Sequence, residues 1–202
     1  MTRLAPLLFP GIFQTRAMSR HEGADLEPNE LERFEAVVLP HLDAAFTLAR
    51  YLTGDTQDAQ DVVQDAALRA VKYFGGFRGA DAREGRAWLL AIVRNAAHSW
   101  LQRRGADAGA VFDEEQHSHG VADEDPALEF DRKETRDRLR EAVAQLPAEF
   151  REVIVLREIQ DLSYQEISDI TSAPVGTVMS RLSRARQRLR RALVRAGTEP
   201  VP

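Results

Sequence analysis

Seven arginines stand between residues 176 and 197 (Arg181, Arg184, Arg186, Arg188, Arg190, Arg191 and Arg195) with no acid among them. Cations at that density attract polyphosphate, so the chemistry they offer is contact with a nucleic-acid backbone; the plainer alternative is a solvated helix face. A second grouping has the opposite sign. Asp61, Gln64 and Asp65 share one side of a helix with position 68, because residues three and four apart are helical neighbours. Taken by itself, such a grouping reads as a solvated acidic helix face.

Catalytic chemistry has no such support. No nucleophile–base set, phosphate-cradling glycine loop or metal-ligand spacing stands in the chain. With no cysteine, thiolate metal sites, thiol nucleophiles and disulfide frameworks are excluded. His117 and His119 lie beside Asp113, Glu114 and Glu115, but nothing nearby imposes the geometry a metal site needs, so neither metal nor cofactor is expected. The chain reads as a binding protein and not as an enzyme.

The net charge of −5 over 202 residues argues against nucleic-acid binding only until it is resolved by segment. Residues 76–104 carry +4, residues 105–130 carry −8 and residues 163–202 carry +4. Two basic blocks therefore flank an acidic spacer. No apolar run approaches the roughly 18 residues of a spanning helix, so no membrane insertion is expected.

These groupings need elements to hold them, and the hydrophobic period supplies them. Residues 1–30 read as a tail: Pro6 and Pro10 break the apolar stretch from Leu4 to Phe13, no small-residue cleavage site follows, and translation from Met18 is an alternative start. From Leu31 the apolar residues Phe34, Val38, Leu42, Ala45, Phe46, Ala49 and Leu52 recur at helical spacing up to Gly54, which predicts a first core helix. A second is predicted from about Asp55 to Phe74, with Ala59, Val62, Val63, Ala66, Ala70 and Val71 inward, and is stopped by Gly75 and Gly76. After a loop Phe77–Gly85, a third from about Arg86 to Arg103 buries Trp88, Leu89, Ile92, Val93, Ala96 and Leu101. Trp88 is assigned to the core, while Trp100 is left open between packing and base stacking.

Residues 105–131 lack any period and have the composition of a solvated acidic linker. Beyond it, residues 132–197 form a second domain. Its first helix runs from about Arg132 to Gln145 with Leu139, Val143 and Leu146 as its apolar stripe, and Pro147 starts the next, Ala148–Ile159. Ser163-Tyr164-Gln165-Glu166 is a capping box. It opens a short helix to Ile170, a break follows around Thr171–Pro174, and a long helix from Val175 to about Val194 carries the arginines. Short helix, turn and basic helix make a helix-turn-helix pattern, whose second helix enters the major groove and reaches base edges from its N-terminal residues. The fold class is therefore all-α: two small helical domains, residues 31–104 and 132–197, joined by an acidic linker.

At this point the sequence resembles the extracytoplasmic-function sigma factors of bacterial RNA polymerase, within the sigma-70 family. Asp58-Ala59-Gln60-Asp61-Val62-Val63-Gln64-Asp65 and Ala87-Trp88-Leu89-Leu90-Ala91-Ile92-Val93-Arg94-Asn95 resemble the family's region two. Leu146-Pro147-Ala148-Glu149-Phe150-Arg151-Glu152-Val153, Leu162-Ser163-Tyr164-Gln165-Glu166-Ile167 and Pro174-Val175-Gly176-Thr177-Val178-Met179-Ser180-Arg181-Leu182 resemble its region four. The resemblance implies a promoter-specificity subunit without a catalytic site of its own, working in the cytoplasm at the nucleoid. It implies that Asp61, Gln64 and Asp65 dock on the clamp helices of the polymerase beta-prime subunit, that region four meets the beta flap, and that an anti-sigma partner holds the protein inactive.

It further implies that Arg94, Asn95, Arg103 and Arg104 serve the proximal promoter element, and that Thr177, Met179, Ser180, Arg181, Ser183, Arg184 and Arg188 serve the distal one. Two departures stand out. Met179 occupies a position where relatives carry arginine, which removes a bidentate guanine reader. Ser172 occupies a turn position where glycine is usual, which predicts serine in a left-handed conformation. The rival expectation is a stand-alone helix-turn-helix regulator, which would bind duplex DNA without polymerase.

Overall fold

The computed structural model describes residues 27–107 and 138–195, so residues 1–26 of the tail, residues 108–131 of the acidic linker and the His117–His119 pair lie outside the described residues. Residues 28–30, expected in the tail, and 105–107, expected in the linker, are helical. The described residues form two compact units, and among them there is no strand.

In the N-terminal unit, helix α1 spans Pro28–Val37, α2 Leu42–Thr53 and α3 Thr56–Tyr73, and α4, Ala82–Asp107, begins there and runs past the unit's end at Trp100. The expected first helix is thus two helices, separated by a tight turn at Leu39–His41. Pro40 is the cause: it has no N–H to give the helical ladder, and its ring crowds the preceding turn. The break also changes which residues face inward, so that Leu48 is fully buried while Phe46 is half-buried. Gly54 ends α2 at φ 84, a left-handed cap that glycine adopts without steric cost. Asp55 then caps α3, its carboxylate accepting from the Asp58 N–H at 2.9 Å.

The core is made of small residues. Ala45, Ala49, Ala59, Ala66 and Ala70 are fully buried, which lets α2 and α3 pack closely along their length. Leu48, Leu52, Leu89, Leu90 and Val93 fill the space between the helices. On α4 the buried set is Leu89, Leu90, Val93, Ala96 and Ala97, while Ile92 and Leu101, both expected inside, are half-buried. Trp88 is half-buried against Phe77, at 4.9 Å between ring centres, and against Phe74 at 6.0 Å. Its assignment to packing therefore holds.

Helix α4 starts at Ala82, earlier than expected, because Asp81 accepts from the Glu84 N–H at 2.9 Å and Glu84 accepts from the Ala80 N–H at 2.5 Å. Arg33 stabilises the preceding loop by donating to the Gly79 carbonyl at 2.5 Å and lying over the rings of Phe74 and Phe77. Gly85, expected in the loop, lies inside the helix.

His41 sits in the turn at Pro40 with its Nε2 enclosed and unpartnered among the described residues. Its pKa is lowered from the usual histidine value by burial and by Arg86, against a backbone hydrogen bond at Ala82 that raises it. The neutral imidazole is favoured in the fold, so the unfolded chain takes the proton more readily, and stability is lost as pH falls through about 6.5. The urea midpoint of tryptophan fluorescence is expected to fall between pH 7.5 and pH 5.5, and to fall less in His41→Asn. Equal pH dependence in the two proteins would show that His41 is not the group responsible.

In the C-terminal unit, α5 is described over residues 138–144, α6 spans Ala148–Ile154, α7 Tyr164–Thr171 and α8 Val175–Arg195. Pro147 is the cap residue just before α6, and the helix runs on through one wider turn, Val155–Ile159, where Gln160 N–H donates to the Val155 carbonyl at 3.0 Å. Arg151 donates to the carbonyls of Ala144 and Leu146, closing the end of α5. Phe150, Val153, Val155, Leu156, Leu162, Ile167, Ile170, Val178, Leu182 and Ala185 form the core. Of the stripe expected on α5, Val143 and Leu146 are buried and Leu139 is exposed among the described residues.

Candidate nucleic-acid interface

Each candidate grouping is held by an element whose ends are fixed locally. On α3, Asp61 and Gln64 are exposed, Asp65 is half-buried, and Leu68 completes the same face at 61% exposure. Asp65 is paired with its helical neighbour four residues on: its two oxygens take the Arg69 guanidinium at 2.8 and 3.1 Å. Asp61 is therefore the more available carboxylate on this face.

On α4, Asn95 is exposed and its side-chain oxygen accepts from Arg94 at 3.2 Å. Arg103 and Arg104 are exposed toward the end of the helix. These four residues lie on one continuous helix, with a cation–amide contact at one end and a pair of cations about two turns further on.

The helix-turn-helix is built as the capping box predicts. The Ser163 side-chain oxygen accepts from the Glu166 N–H at 3.2 Å, and the Glu166 carboxylate accepts from the Ser163 N–H at 2.8 Å. α7 then ends in Ser172 at φ 53 and ψ 34, the left-handed conformation expected there. A serine is held in it because the Ser172 N–H reaches the Ser168 carbonyl and the Ser168 hydroxyl donates to Ala173 at 2.7 Å. The turn delivers Pro174, whose carbonyl accepts from Thr177 and Val178 at 2.8 and 3.0 Å, and so starts α8.

On α8, Val178, Leu182 and Ala185 are buried, which turns Met179, Ser180, Ser183, Arg184 and Arg188 to the exposed side, while Thr177 is half-buried. Arg188 also lies over the Phe150 ring at 5.0 Å. Two arginines of the run take a different course. Arg181 turns back to α6, with its guanidinium 3.3 Å from Glu149 and 3.7 Å from Glu152. Arg186 meets one oxygen of Glu158 at 2.7 and 3.1 Å. Arg181, expected among the DNA-facing residues, is thus set in an intramolecular ion pair. Glu149, Glu152 and Glu158 were missed as partners because they lie 28 to 32 residues upstream, where helical spacing carries no information.

Among the described residues no group of histidine, aspartate and glutamate side chains is placed to hold a metal ion, and no helix is long and apolar enough to cross a membrane.

Comparison with known proteins agrees with this architecture. The families described as Sigma-70 region 2 and Sigma-70, region 4 match residues 37–106 and 136–189. The RNA polymerase sigma-H factor of Pseudomonas aeruginosa is 34% identical over 167 residues, covering 79% of this chain and 86% of the relative. The ECF RNA polymerase sigma-E factor of Escherichia coli K12 is 35% identical over 150 residues, covering 71% of this chain and 76% of the relative. Among solved structures, the sigma factor RpoE of Bartonella quintana, in complex with the anti-sigma factor NepR, aligns with a TM-score of 0.65 at 29% identity over 82% of this chain and 98% of that one. With the acidic face on α3 and the capped helix-turn-helix in place, the chain belongs to the extracytoplasmic-function sigma factors of RNA polymerase, in the sigma-70 family.

Proposed function

We propose that this sigma factor docks on core RNA polymerase through the α3 face of Asp61, Gln64 and Asp65, reads a proximal promoter element with α4, and reads a distal element with α8. The observation that carries the proposal is the outward row Met179, Ser180, Ser183 and Arg184 at the N-terminal half of a helix-turn-helix recognition helix, where base edges are reached. Arg184, Arg188, Arg190 and Arg191 are exposed along the same helix and supply phosphate contacts. With Met179 in that row, the distal element is read by hydroxyls, one arginine and DNA shape.

On α4, the Arg94–Asn95 pair offers an amide to a base, and Arg103 and Arg104 offer charge to the backbone. The chain contributes binding, and bond-making belongs to the polymerase. An anti-sigma partner is part of the proposal, supported by the neighbour solved with one. With no cysteine in this chain, any thiol-based sensing lies in that partner.

Run-off transcription with core polymerase and a genomic promoter library tests the reading. Wild type is expected to start RNA at a defined promoter set, and Asp61→Ala/Gln64→Ala/Asp65→Ala to lose at least about tenfold of it, since truncating charged interface residues costs roughly 2 kcal/mol or more. Asp61→Ala alone is expected to cost more than Asp65→Ala, because Arg69 already occupies Asp65. Failure of the wild type to initiate, together with tight binding of duplex DNA by the protein alone, would favour the stand-alone regulator.

A further inference from the structure

We infer that Gly176 sets the depth at which the recognition helix enters the DNA groove, its missing side chain serving as clearance for the duplex. The inference rests on the sigma-factor reading above and adds to it a specificity-determining residue that has no side chain to contact a base.

Gly176 stands in the first turn of α8 and is exposed. Residues three, four and seven positions apart share one face of a helix, so Gly176 heads the outward row of Met179, Ser180 and Ser183, all exposed. Val178, Leu182 and Ala185 point the other way, into the core. Within the row, Gly176 lies nearest the N-terminal end, which is the end a recognition helix presents to base edges.

Nothing among the described residues requires a glycine there. Its backbone is helical, unlike the left-handed Gly54. A Cβ would meet no atom within 4 Å among the described residues, whereas at Gly85, also within a helix, it would run into the Val37 backbone. Alanine is the better helix former, so the fold on its own favours a methyl group at this position. The side on which that methyl group would stand is the side the row presents to DNA.

The dimensions of that partner give the open space its meaning. A helix with its side chains is about 10–12 Å across, and the major groove is about 12 Å wide, so the head of the row governs how closely α8 approaches the bases. Glycine permits the closest approach of a backbone to a ligand. The residues that follow need that approach. The hydroxyls of Ser180 and Ser183 stand one carbon from the backbone, and Ser180 is drawn closer still by donating to the Thr177 carbonyl at 2.9 Å. Side chains of such short reach meet a base edge only when the helix lies deep. Distal-element specificity therefore depends on Gly176 through the depth at which Ser180 and Ser183 are delivered.

Run-off transcription from promoters with a randomised distal element, using core polymerase and full-length Gly176→Ala and Gly176→Leu, tests the inference. Hydrogen exchange of α8 in the same proteins reads the fold. Both variants are expected to keep or raise the protection of α8. The preference among distal sequences is expected to fall at least about fivefold in Gly176→Ala and to approach roughly 150-fold in Gly176→Leu, the range that base contacts supply.

The dependence on size separates clearance from backbone freedom, which alanine and leucine restrict alike. Equal losses in the two variants overturn the inference, and so does a wild-type preference in Gly176→Leu. Reduced protection of α8 in Gly176→Ala also overturns it, because the glycine then has its reason inside the fold. A wild type that makes no promoter-specific RNA refutes the sigma-factor reading of these sites and the inference with it, and is recognised without either variant.

Discussion

Arg181→Ala is expected to destabilise the C-terminal unit by about 2 kcal/mol, the scale of removing one partner from a buried charged group. The expectation follows from the partner left behind more than from the contact removed. Glu152 is 1% exposed, so a buried carboxylate loses one of the groups that offset its burial. The companion substitution Arg186→Ala lies on the same helix and also removes an arginine from an ion pair. Both partners there are 50% exposed, so water compensates and the loss is expected to stay under about 1 kcal/mol.

Hydrogen exchange of α6 and α8 in the full chain measures the difference. Both tryptophans of the chain, Trp88 and Trp100, lie in the N-terminal unit, so the tryptophan unfolding midpoint should not move in either variant. Equal protection in Arg181→Ala and Arg186→Ala would show that burial of Glu152 carries no special cost.

Gly85→Ala is expected to destabilise the N-terminal unit by roughly 2 kcal/mol, the middle of the range for overpacking a close contact. Helix propensity alone predicts the opposite sign, since alanine is favoured over glycine in a helix interior by about 1 kcal/mol. The structure decides between them. A Cβ on Gly85 would stand 2.1 Å from the Val37 carbonyl oxygen and 3.0 Å from the Val37 carbonyl carbon. That neighbour is backbone at the end of α1, so a side-chain rotation cannot relieve the clash, and α1 and α4 must separate. Tryptophan fluorescence reads this unit directly: the urea midpoint should fall in Gly85→Ala. Gly76→Ala, where a Cβ meets nothing within 4 Å, should leave the midpoint close to wild type. A rise in the Gly85→Ala midpoint would mean that α1 and α4 can part without loss.

Much of this architecture is legible in the residues themselves because its determinants are local. Gly54 ends α2, Asp55 starts α3, and Ser163 with Glu166 starts α7, each by hydrogen bonds that span four residues or fewer. Ser172 is in the left-handed region that its place in the turn implies. The outward set on α8 follows from the apolar period of Val178, Leu182 and Ala185. The segment charges, the acidic face of α3 and the family resemblance are equally matters of residue type and spacing.

Local pattern misleads where it competes with a stronger rule or gives no rule. The apolar period runs unbroken through Pro40, yet the missing N–H splits the helix there. The glycine-rich stretch ending at Gly85 reads as a loop. Gly85 instead belongs to a helix, selected for the absence of a side chain where two backbones meet. The partners of Asp65 and Arg181 differ in the same way: Arg69 is a helical neighbour four residues on, whereas Glu149 and Glu152 belong to another helix.

By itself, then, the sequence determined most of the helices, several of their caps, the charge pattern and the sigma-factor family, because each is written in spacings of four residues or fewer or in contiguous motifs. Tertiary structure alone decided which arginines of the basic run pair with carboxylates of another helix. An arginine's direction depends on whether a carboxylate from a distant part of the chain is brought beneath it. Glu149 and Glu152 of α6 are brought beside Arg181 in this way.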